Sequence, residues 1–184
     1  MAACRARLSS MEQRGEISFL QYFNLHRQSQ KLQKLALSPR FSFWATRLLG
    51  VPRVRLYQDA LFVKRPGDGA TDWHSDLGLA PFDTNSFLTI WLPLTPVPAR
   101  GSSLVYAVGS HRDFALHFYG DLDQDLTGRY RITRTGSICP GDASIHHGWT
   151  LHSAAAIPST GPVRLAWTLG FVAEGARLLS SRSD

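Results

Sequence analysis

Cysteine is nearly absent from this 184-residue chain, which has only Cys4 and Cys139. Two thiols cannot build a disulfide framework, and a reducing compartment is the natural setting. A metal site made mainly of thiolates is excluded for the same reason, so any metal falls to histidine and carboxylate. Long apolar runs are missing too. The longest, such as Phe87–Leu94, stop far short of the roughly 20 residues a membrane-spanning helix needs. No apolar stretch of secretory type follows the start. The expected location is the cytoplasm, with organelle targeting left open by Arg5, Arg7, Ser9 and Ser10 beside Glu12 and Glu16. Lysine is scarce, 3 against 17 arginines. No basic run alternates with aromatics, which argues against nucleic acid as a partner.

What is present is enough to fold. At 43% hydrophobic and 18% charged the chain can build a core, and its length fits one domain over residues 1–184. The net charge is +6. Arginine forks suit carboxylates and phosphates, so an anionic small-molecule substrate is one reading. The other is a solvated surface that happens to be rich in arginine. Nothing in the pattern sets an oligomeric state.

The chain divides by texture. Residues 11–50 read as helical, because Ile17, Leu20 and Phe23, then Leu32 and Leu35, recur at offsets of three. Ser38-Pro39 looks like a helix start and Gly50 like its end. Residues 51–174 read as strands: Val54 to Phe62, then Phe87–Leu94, Leu104–Val108, Tyr130–Thr133, Ala143–His147 and Val163–Ala173. Short strands bounded by Gly, Pro, Asp or Ser, with no long helix between them, point to a sandwich or barrel. The polar stretch Asp113–Gly136 reads as an insertion or lid, and residues 175–184 as a tail.

Seven histidines carry the candidate chemistry. Two stand in H-x-D triplets, His74-Ser75-Asp76 and His111-Arg112-Asp113. In an extended segment, residues i and i+2 face the same way, so such a triplet can offer an imidazole and a carboxylate to one ion. A third ligand would complete the two-His, one-carboxylate face that leaves positions open on ferrous iron. His146, His147 and His152 are the candidates. On a strand ending at His147, His146 and His147 face opposite ways, so at most one of those two could serve.

The sequence resembles the phytanoyl-CoA dioxygenase family of iron(II)- and 2-oxoglutarate-dependent oxygenases. The resemblance is carried by Leu61 to Gly67, Trp73-His74-Ser75-Asp76-Leu77 and Thr89-Ile90-Trp91-Leu92-Pro93-Leu94. It continues through Gly101-Ser102-Ser103-Leu104, Gly109-Ser110-His111-Arg112, Pro140-Gly141-Asp142, His147 to His152, and Arg164. It implies a mainly β fold with N-terminal helices, a cupin-like double-stranded β-helix or jelly-roll. It implies His74, Asp76 and His152 as iron ligands, the two histidines 78 residues apart. It makes His111 part of a structural motif and His147 a packing or hydrogen-bonding residue.

For the co-substrate, the resemblance assigns Arg164, 12 residues after His152, to the distal carboxylate of 2-oxoglutarate. Lys64 and Trp91 match positions beside that co-substrate. The implied activity is a dioxygenase that uses Fe(2+), 2-oxoglutarate and O2, hydroxylates a C–H bond of a small organic substrate and releases succinate and CO2. No catalytic residue beyond the metal centre is implied. Family members usually carry more than the roughly 50 residues that precede the first barrel strand here. Two rivals stand beside this reading: a catalytically silent jelly-roll that binds metal or a small acid, and a nucleic-acid demethylase, whose Arg-containing motif is absent.

Overall fold

The computed structural model describes residues 19–80, 82–113 and 126–179. Strands β1 (Leu20–Phe23), β2 (Val54–Lys64), β9 (Arg164–Ala173), β4 (Phe87–Pro93) and β7 (Ser144–His147) form the larger sheet in that spatial order. Strands β3 (Thr71–His74), β8 (His152–Ala154), β5 (Leu104–Ala107) and β6 (Ile132–Arg134) form the smaller one. Every pairing is antiparallel. Two facing antiparallel sheets make the jelly-roll that the strand pattern predicts.

Register decides what each face carries. Successive side chains of a strand alternate between faces. On β9 the odd positions Trp167, Leu169 and Phe171 pack outward with Leu88 and Ile90 of β4. Against them lie helix α1 (Gln30–Ala36), through Ala36, and helix α2 (Pro39–Leu49), through Phe41, Ala45 and Leu49. The even positions Arg164, Thr168 and Gly170 line a cavity between the sheets. Strand β2 changes phase midway. A bulge at Tyr57, between Leu56 and Gln58, leaves Val54 and Leu56 packed on the outer core but turns Gln58, Ala60 and Phe62 into the cavity.

Helix α2 begins and ends where its sequence indicates, with Pro39 in the first turn and Gly50 at φ 67° closing it. The helical reading of residues 11–50 needs one correction. Leu20–Phe23 is a strand, because the long β2 would otherwise expose an unpaired edge, which β1 covers from Leu20↔Val63 to Phe23↔Ala60. Residues 11–18 lie outside the described residues.

The expected insertion or lid, Asp113–Gly136, is described only in part. Residues 114–125 lie outside the described residues. The rest of that stretch is scaffold: Ile132–Arg134 pairs with β5, and Leu126 is buried against Ala107 and Leu151. No helix among the described residues is long and apolar enough to cross a membrane.

Candidate metal centre and co-substrate pocket

Strands β3 and β8 bring two histidines together directly, since His74 and His152 are partners in the ladder. Their rings stand 4.2 Å apart between centroids. Asp76 follows His74 by two residues and opens the single helical turn α3 (Asp76–Leu79). One atom from each of His74, Asp76 and His152 falls within a 4.8 Å cluster. Asp76 Oδ1 is 3.7 Å from the Nε2 of both histidines.

Hydrogen bonds on the far side of each group settle which atoms face the cluster. His74 Nδ1 donates to the Asp72 carbonyl at 2.8 Å, and His152 Nδ1 donates to the Thr150 carbonyl at 2.9 Å. Both imidazoles therefore turn an Nε2 lone pair inward, the tautomer a metal requires. Asp76 divides its oxygens. Oδ2 accepts hydrogen bonds from Thr89 Oγ1 and from His146 Nε2, the latter at 3.1 Å, which leaves Oδ1 to the cluster. Burial alone would raise the Asp76 carboxyl, but hydrogen bonds and the neighbouring imidazoles hold it well below the usual range. Burial, then His146, pushes His152 down to about 3, so it is neutral and able to ligate. Two imidazole nitrogens and one carboxylate oxygen fit a divalent iron with open positions.

Arg164 lines the other end of the cavity, with a second cation, Lys64, beside it. Lys64 and Arg164 are direct partners across β2 and β9, and both are buried. Like charges placed so repel, and burial without a counter-ion is costly. Burial first and Arg164 second push Lys64 down to about 7; burial brings Arg164 to about 10. Neither meets a carboxylate at bonding distance among the described residues. Arg164 Nη1 donates to the carbonyl and hydroxyl of Ser102, its guanidinium lies 5.7 Å from the Trp91 ring, and its Nε is buried without a partner. Lys64 Nζ has the Ala155 carbonyl at 3.4 Å and the Phe19 ring at 4.5 Å. An incoming dicarboxylate would supply the missing charge. The metal cluster, Trp91 and Arg164 line one cavity of about 330 Å³.

The remaining histidines fall elsewhere. His147 faces away from the cluster, with Nδ1 accepting from the Trp149 amide and its ring 5.3 Å from that of His111. Asp113 pairs with Arg129 and Tyr130, so the second H-x-D triplet does not meet the first.

Over residues 6–166 the sequence matches the phytanoyl-CoA dioxygenase (PhyH) family. The chain belongs to this family. Among solved structures, SnoK, a non-heme alpha ketoglutarate dependent carbocyclase from nogalamycin biosynthesis, is similar at TM-score 0.76 and 27% identity, covering 100% of this chain and 79% of SnoK. SnoN, a non-heme alpha ketoglutarate dependent epimerase from the same biosynthesis, is similar at 0.71 and 25%, covering 86% of this chain and 62% of SnoN. EctD from S. alaskensis, solved with 2-oxoglutarate and 5-hydroxyectoine, shares the fold at 0.73 and 22%, covering 86% of this chain and 58% of EctD. The chain thus spans about three fifths of SnoN and EctD and about four fifths of SnoK. Comparison with curated proteins gives no match.

Several groups of this PhyH-family chain escape sequence reasoning. His146 sits against Asp76 although it is distant in sequence. A chain of hydrogen bonds continues behind it, through Tyr106 Oη at 3.3 Å to Ser144 Oγ at 2.7 Å. The one available signal was that His146 and His147 face opposite ways. Thr89 and Ser102 carried no signal beyond their motifs.

Proposed function

We propose that this protein is an Fe(II)- and 2-oxoglutarate-dependent dioxygenase that hydroxylates a C–H bond of a small organic substrate. His74, Asp76 and His152 would hold the iron, and Arg164, with Lys64 and Trp91 beside it, would hold the co-substrate. The observation that carries the reading is the pairing, in one cavity, of a two-His, one-carboxylate cluster with the buried Arg164, which meets no carboxylate among the described residues and has a second buried cation, Lys64, beside it on β2. When bound, the iron supplies oxidative decarboxylation of 2-oxoglutarate to succinate and CO2 with activation of O2.

The chain's own groups do the positioning. The backbone carbonyls of Asp72 and Thr150 fix the two imidazole tautomers. Thr89 and His146 occupy one oxygen of Asp76, so the carboxylate offers a single ligand atom and leaves room for a chelating acid. Arg164, clamped by Ser102, presents its remaining donors to the distal carboxylate, which orients the keto acid end toward the cluster. The Trp91 indole walls that end against water.

Relatives whose activities are an epimerisation and a carbocyclisation show that hydroxylation is not the only outcome such a site supports. The test is succinate release with Fe(II) and 2-oxoglutarate against a substrate panel, with product mass measured. A product heavier by one oxygen is expected. Succinate absent under every condition, with iron bound, would favour the silent jelly-roll instead.

A further inference from the structure

The substrate half of the cavity lies beyond the metal cluster, away from Arg164. Its floor is Gly170, three inward positions along β9 from Arg164 and paired with both Gln58 and Thr89. Around it stand Phe23, Tyr57, Phe87 and, on the turn that carries Asp76, Leu79. Leu79 is 76% exposed and Phe23 48%, which marks this end as the mouth. Tyr57 and Phe87 are set nearly edge-on, 6.1 Å apart, with Phe82 braced behind them at 4.8 Å from Tyr57. A Cβ at Gly170 would stand 3.0 Å from Phe87 Cζ, so the missing side chain lets that ring lie close against β9 as part of the wall.

Charge decides the class. Among the described residues lining the cavity, only Asp76 and Arg164 carry a full charge, apart from histidines. Asp76 is engaged at the cluster and Arg164 at the co-substrate end. Among the described lining residues no cation is left to neutralise an anionic substrate, and an unpaired buried carboxylate is costly. The other described arginines are at least partly solvated, as Arg53 is with its side chain 77% exposed. At this end the Gln58 carboxamide and the Tyr57 hydroxyl have no hydrogen-bond partner among the described residues.

We propose that the substrate enters this cavity as an uncharged, largely apolar ring or fused-ring body bearing one hydrogen-bonding group for Gln58. This rests on the dioxygenase reading and replaces the anionic substrate that the arginine content had offered. Walls built from Phe23, Tyr57 and a Phe87 ring laid against Gly170 suit a broad, flat face.

The test is calorimetric titration of the protein loaded with Mn(II) and 2-oxoglutarate under nitrogen, using matched pairs such as 2-naphthalenemethanol and 2-naphthoate, or decalin methanol and its acid. The neutral member is expected to bind at least tenfold more tightly. Gly170→Val should weaken it by a further tenfold or more while Mn(II) and 2-oxoglutarate affinities stay put. Gln58→Lys should shift preference toward the acid. An acid that binds as tightly as its neutral partner, or no binding of any pair, overturns the proposal. Because binding is read without turnover, the two readings fail separately. Discrimination without succinate release under iron would sink the dioxygenase and leave the substrate class standing.

Discussion

Replacing Arg164 with methionine should separate stability from co-substrate binding. Methionine keeps the length and apolar stem but deletes a buried cation that faces Lys64 across the ladder. In the empty cavity the change loses two hydrogen bonds to Ser102. It also removes the unpartnered Nε and the repulsion with Lys64. Two unit charges about 6 Å apart at an effective dielectric of about 20 repel by roughly 3 kcal/mol. The lost bonds, donated by a charged group, are worth about 3–6 kcal/mol together, which the relieved repulsion and the removed unpartnered Nε largely offset. Burying a hydrophobe in place of a charge is commonly neutral or better.

The co-substrate-free variant is therefore expected to melt within a few degrees of the wild type, or above it. Binding should move the other way. A charged hydrogen bond contributes about 1.5–3 kcal/mol, so losing one such contact weakens 2-oxoglutarate roughly 10- to 150-fold. Titration of Mn(II)-loaded protein with 2-oxoglutarate, beside thermal unfolding of the empty protein, reads both. Arg164→Lys, which keeps charge but loses the fork, should fall between. Unchanged 2-oxoglutarate affinity, or an empty protein destabilised by more than about 3 kcal/mol, would show Arg164 to be a strut and refute the reasoning.

His74→Ala, Asp76→Ala and His152→Ala should each abolish stoichiometric iron binding, and metal analysis showing normal content in any of them removes that residue from the centre. Thr89→Val and His146→Leu free the second oxygen of Asp76, and should each weaken Mn(II) binding about 10- to 100-fold with the fold intact by circular dichroism. Lys64 makes the empty protein weaker towards neutral pH and firmer towards alkali. Its folded-state value is lowered to about 7 from an ordinary 10.5, so between those values the folded chain binds fewer protons than the unfolded one. Stability should rise as pH climbs through that window, with the penalty fully present below about 7. Urea unfolding of Lys64→Met should flatten the rise, and an equal rise in both proteins would contradict it.

The fold and the site were legible to different depths, for physical reasons. Helix α2 was readable because its signals are local: Ser38-Pro39 and Gly50 act within a turn of themselves. Strand β4 was readable because it is buried on both faces and so runs apolar from Phe87 to Pro93 apart from Thr89. Leu20–Phe23 was misread because four residues carry no period of their own, and what makes them a strand is the free edge of β2, fixed elsewhere in the chain. Val54 to Phe62 looked like a loose alternation because it is two alternations joined out of phase by the Tyr57 bulge; sequence shows the looseness but not its location.

The same division runs through the site. The His74 and Asp76 pair is a local feature, visible from strand geometry. His152 could be singled out from His146 and His147 only through the family resemblance, because choosing it physically requires knowing that β8, and not β7, pairs with β3. A separate register in the larger sheet lays Thr89 and His146 side by side on β4 and β7, facing the second oxygen of Asp76. The ligands are thus spelled out in motifs, whereas the groups that orient them are supplied by pairing between distant strands. Substitutions at His146, Tyr106 and Ser144 are therefore where this chain can tune the proposed metal centre without altering a single motif that identifies it.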